Sequence, residues 1–100
     1  MPTTVHLDDL DGEPHAAVFP GEEPRTVRLT LAADEATPVH QHPGRTLVLS
    51  LRSGELQLGL GGETHRVVAG DVVRFDGDQD ISIRAVEDST ALLVMAAADW

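Results

Sequence analysis

Apolar and polar residues alternate with a period of two along most of this chain. Residues Val27, Leu29 and Leu31 fall on one face of the run Arg25 to Ala32, with Arg28 and Thr30 on the other. Leu47, Leu49 and Leu51 alternate with Val48, Ser50 and Arg52, and Leu56, Leu58 and Leu60 with Glu55, Gln57 and Gly59. Ile81-Ser82-Ile83-Arg84-Ala85 repeats the pattern. A period of two over five to eight residues predicts strands with one buried face. The full set of predicted strands is 15–19, 25–32, 39–42, 46–52, 55–60, 63–68, 72–75, 81–85 and 90–96. Turn signals separate them: Pro20-Gly21, Pro43-Gly44, Ser53-Gly54, Gly61-Gly62 and Ala69-Gly70-Asp71. Gly61-Gly62 is a two-residue hairpin signal. Residues 5–10 suit a short strand or turn, and no stretch has the periodicity of an amphipathic helix. About nine short strands with frequent turns predict an all-β sandwich or barrel.

The chemistry-bearing stretch is Val39-His40-Gln41-His42-Pro43-Gly44. On an extended backbone, residues i and i+2 point the same way, so His40 and His42 project side by side. Neutral imidazole binds Zn, Ni, Mn and Fe, but a usable centre needs three or four ligands.

In order along the chain, His40-Gln41-His42-Pro43, Gly54-Glu55-Leu56, Gly70-Asp71-Val72-Val73 and Ala85-Val86-Glu87-Asp88-Ser89 resemble the small single-domain cupins. The resemblance spans residues 26–96. It implies a small antiparallel cupin-like β-barrel or jelly roll. Metal-binding members of that family carry His-x-His, then Glu, then a later His. In this chain the Glu position falls on Thr46 or Leu47 and the later His on Ile81. The resemblance therefore implies a degenerate metal site. His40 and His42 remain as metal ligands, and Asp78 and Asp80, in the loop before Ile81, are additional carboxylate candidates. His65 sits on a central hairpin, and its direction depends on a register that a one-residue slip reverses. His6 and His15 read as exposed or edge-strand histidines. Arg45, Arg52 and Arg74 would clamp a carboxylate if one pointed inward, and otherwise form a solvated exterior facing the many acids.

One hundred residues make one domain. The expected division is an N-terminal arm and first strand over 1–25, followed by the barrel over 26–100. So small a core has little margin, and pairing of two copies would add to it. The expectation is a homodimer using edge strands and the arm, with Phe19 and Trp100 contributing surface.

Net charge is −10, and all seven basic residues are Arg. This argues against nucleic acid and against anionic membranes, both of which select basic surfaces. It also suits a halophilic protein, in which counterions screen self-repulsion. There is no Cys, hence no disulfide framework, and the sequence has neither a membrane-length apolar run nor a basic-then-apolar leader. A cytoplasmic location is expected. No nucleophile elbow, phosphate-binding loop or dinucleotide fingerprint is present.

Three functions are open at this point. The first is a His-lined pocket binding a small molecule, and it ranks slightly ahead because of Thr46, Leu47 and Ile81. The second is a metal-dependent enzyme of oxygenase or isomerase type. The third is a structural or stress-related module without a ligand.

Overall fold

The structure is a computed structural model that describes residues 2–97. Eight strands follow a single 3-10 turn at Leu7–Asp9. They are β1 His15–Ala17, β2 Arg25–Leu31, β3 Arg45–Ser53, β4 Glu55–Leu60, β5 Glu63–Val68, β6 Val72–Asp76, β7 Ile81–Ala85 and β8 Ser89–Ala97. They form two antiparallel sheets, one ordered β1-β2-β8-β3-β6 and the other β5-β4-β7. The inner rows of both sheets meet in one core. Leu29, Leu47, Leu49, Leu51, Leu56 and Leu58 are all essentially inaccessible. Within each sheet, cross-strand pairs such as Leu49 with Leu93 and Leu58 with Ile83 set these side chains next to one another. Among the described residues, no helix is long and apolar enough to cross a membrane.

The strand expected over 39–42 is replaced by something else. A segment from Glu35 to His40 runs beside β7 and is joined to it by isolated bridges at Ala36–Arg84 and His40–Ile81. Thr37 donates its N–H to Ile83 and His40 donates to Ile81, so three residue steps on one side span two on the other. That extra residue is a bulge, and Pro38 within it has no N–H to donate, so no regular ladder forms. The Thr37 hydroxyl accepts from the Ile83 N–H at 3.1 Å and covers part of the break.

The N-terminal arm lies against the outer face of β2. Arg28 reaches it with three hydrogen bonds, donating to the carbonyls of Leu7 (2.8 Å), Leu10 (3.1 Å) and Gly12 (2.8 Å). This buries a guanidinium against backbone oxygens and ties residues 7–12 to the sheet. Phe19, expected to offer dimer surface, is half-buried. Trp100, expected to share that role, lies outside the described residues.

Candidate functional site

The two sheets splay at one end, where a cavity of about 480 Å³ opens. Its deep wall is apolar, with Val27, Leu47, Phe75, Ile83, Leu93 and Met95 among the lining residues. His40 and His42 lie on its rim. Their ring centroids are 4.7 Å apart and the planes are nearly perpendicular, at 88°. The expected side-by-side placement is therefore present, although the backbone beneath is not a strand.

The rings are held from both sides of the chain. His40 is bridged through its backbone to Ile81. Its Nδ1 lies 2.8 Å from the Pro38 carbonyl, which can only accept. Nδ1 therefore carries the proton, and in the neutral ring Nε2 presents a lone pair. His42 donates its N–H to Gly77 O at 2.8 Å, and Gly77 returns a bond to Arg45 O at 2.9 Å. A Cβ on Gly77 would stand far inside contact distance of His42 O, so only glycine permits this approach. Gly44, at φ 74°, completes the turn after His42.

Asp78 and Asp80 brace that turn. Asp78 Oδ1 accepts from Gly44 N, and Asp80 Oδ1 accepts from the Gln41 side chain, each at 2.9 Å. Both acids are exposed. Leu47 and Ile81, at the positions where the family pattern implies ligands, are buried cavity-wall residues, while Thr46 is not among the lining residues. Among the described residues, no group of three or more histidine or carboxylate side chains could hold a metal ion.

His15 and Arg25 also line the cavity. Arg25 could have been found by parity, because it continues the inward row of Leu31, Leu29 and Val27 on β2. His15, on a three-residue edge strand, left no comparable signal. Burial, then the nearby His40 and Arg25, push the His15 pKa below the usual 6.5. Burial followed by His40, Arg25, Arg45 and His15 does the same to His42. Neutral imidazole is favoured at both.

The remaining candidates lie elsewhere. His65 is opposite Leu58 but exposed on the edge strand β5, 3.8 Å from Glu63. His6 is exposed beside Asp8, 3.4 Å away. Arg45 donates to Glu23 and to Met95 O, and neither Arg52 nor Arg74 is among the cavity-lining residues.

The sequence model described as "Cupin domain" matches residues 27–97. No curated protein sequence matches the chain. Among solved structures, the cupin domain of Schizosaccharomyces pombe Cnp3 is similar with a TM-score of 0.83 at 16% identity, covering 94% of this chain and 73% of that one. TT1209 from Thermus thermophilus gives a TM-score of 0.79 at 23% identity, covering 94% and 96%. The cupin domain of an XRE family transcriptional regulator from Enterobacter cloacae gives 0.74 at 21%, covering 83% and 94%. At these identities the likeness speaks for the fold.

Proposed function

The chain belongs to the cupin domain family, and on that premise we propose that it binds a small molecule within the barrel through the cavity wall itself. The observation that carries this is the replacement of family ligand positions by apolar, buried Leu47 and Ile81 on the wall of the cavity. These side chains offer contact area to an apolar ligand body and no donor to a metal. A cavity of about 480 Å³ lies within the roughly 300–1,000 Å³ range of small-molecule sites.

A second reading is favoured by one contact. The His40 Nδ1 bond to Pro38 O leaves Nε2 available, as in histidines that ligate metals. On that reading a divalent ion such as Zn, Ni, Mn or Fe is held weakly by His40 and His42, and the protein is a metal-dependent enzyme.

The test is fluorescence titration of chelator-treated protein with N-phenyl-1-naphthylamine, a neutral apolar probe. Saturable binding without metal is expected, and Ala17→Trp at the cavity wall should abolish it. Binding that requires added Zn or Ni favours the second reading. No binding under either condition leaves a structural module.

A further inference from the structure

The rim has an electrostatic character opposite to that of the molecule. The chain carries 17 acidic residues, and none of those among the described residues lines the cavity. The ionisable groups that do are His15, Arg25, His40 and His42. Arg45, Arg66 and Arg84 each face a carboxylate, and Arg28 is bound by three carbonyls. The Arg25 guanidinium has no hydrogen-bond or ion-pair partner among the described residues. It stands at the mouth end of an inward-facing row that is otherwise Leu31, Leu29 and Val27. The guanidinium stands beside the His15 and His42 imidazoles, with no carboxylate against it among the described residues. In a chain with ten excess negative charges, none of the carboxylates among the described residues pairs with it.

We propose that this rim is a carboxylate-recognition site, in which the Arg25 guanidinium binds the acid group of a ligand whose apolar body lies against Val27, Leu47, Phe75 and Ile81. This deepens the preceding proposal and rests on it. The planar fork of guanidinium N–H groups matches a carboxylate, which can accept two of them at once. The neutral imidazoles of His15 and His42 add N–H donors or acceptors around it. A cationic ligand meets Arg25 with like charge. A neutral one leaves the guanidinium unused.

The test is calorimetric titration of the full chain with octanoate, octanamide and octylammonium, which share one apolar body and differ in the head group. Octanoate is expected to bind at least about tenfold more tightly than octanamide, with octylammonium weakest. Arg25→Gln should weaken octanoate about tenfold and leave octanamide unchanged, and Arg25→Lys should recover part of the difference. Arg25 is exposed, so these variants should keep the parent melting temperature. Arg52→Gln, outside the cavity, should change neither affinity. Equal affinity for octanoate and octanamide, or equal loss of both in Arg25→Gln, overturns the carboxylate assignment while N-phenyl-1-naphthylamine binding still supports the pocket. Failure of octanoate, octanamide and that probe alike removes the pocket, and the carboxylate site with it.

Discussion

His40 and Ile81 exchange both backbone hydrogen bonds, at 3.0 and 2.8 Å, which sets the side chain at position 81 beside the imidazole at position 40 on one cavity wall. Residues bridged in this way face the same side. Ile81→His should therefore place a third imidazole next to His40 and His42. Titration with Ni or Zn should show affinity rising by at least about tenfold over the parent, as expected when a two-ligand site gains a third. Unchanged affinity in a folded variant would mean that position 81 does not face the pair.

The turn bearing His42 depends on the bare Cα of Gly77. In Gly77→Ala the new methyl would collide with His42 O and stand 2.8 Å from Arg45 O, both backbone atoms that cannot rotate away. Denaturant unfolding should show a loss of about 1–3 kcal/mol, typical of overpacking. The histidine side-chain resonances should shift as the ring pair separates. Gly59→Ala is the control, since its methyl meets the Ser82 hydroxyl, which can turn aside. An equal effect from both variants would contradict the special role of Gly77.

Acid should destabilise the fold through His15 and His42. Both have folded pKa values below the ordinary 6.5. As pH falls through that value, the unfolded chain takes up protons before the folded one does. Their contribution is complete above about 6.5 and is lost as pH drops through the lower folded values. The melting temperature should fall more steeply between about pH 6.5 and 5 in the parent than in a His15→Gln/His42→Gln double variant. Parallel curves would assign the acid response to other groups.

Salt should stabilise the protein. A net charge of −10 on 100 residues implies mutual repulsion, which ions screen to within about 3 Å at molar strength. The melting temperature should climb from low salt to about 1 M. A flat or declining trend would count against the halophilic reading.

Much of this was already present in the order of residues. The strands Glu55–Leu60, Glu63–Val68 and Ile81–Ala85 fall where alternation and the Gly61-Gly62 turn place them, because period and turn chemistry are local properties of the chain. The pairing of His40 with His42 was equally local, since i and i+2 share a side on any extended backbone. That Leu47 rather than Thr46 faces inward was local too, because Leu47 continues the apolar row of Leu49 and Leu51. That this end of the row borders the cavity was not. The bulge at Pro38 was also hidden, because it depends on how residues 37–40 are counted against Ile81 and Ile83, some forty positions away. Parity put Arg25 on the inner face of its strand, but only the packing of the two sheets decided which end of that face would open to solvent. That choice made Arg25 a rim residue and brought His15, from a separate strand, to the same mouth. Periodicity along one strand specifies a face. Where the cavity lies, and which distant side chains share it, follows from long-range strand pairing alone.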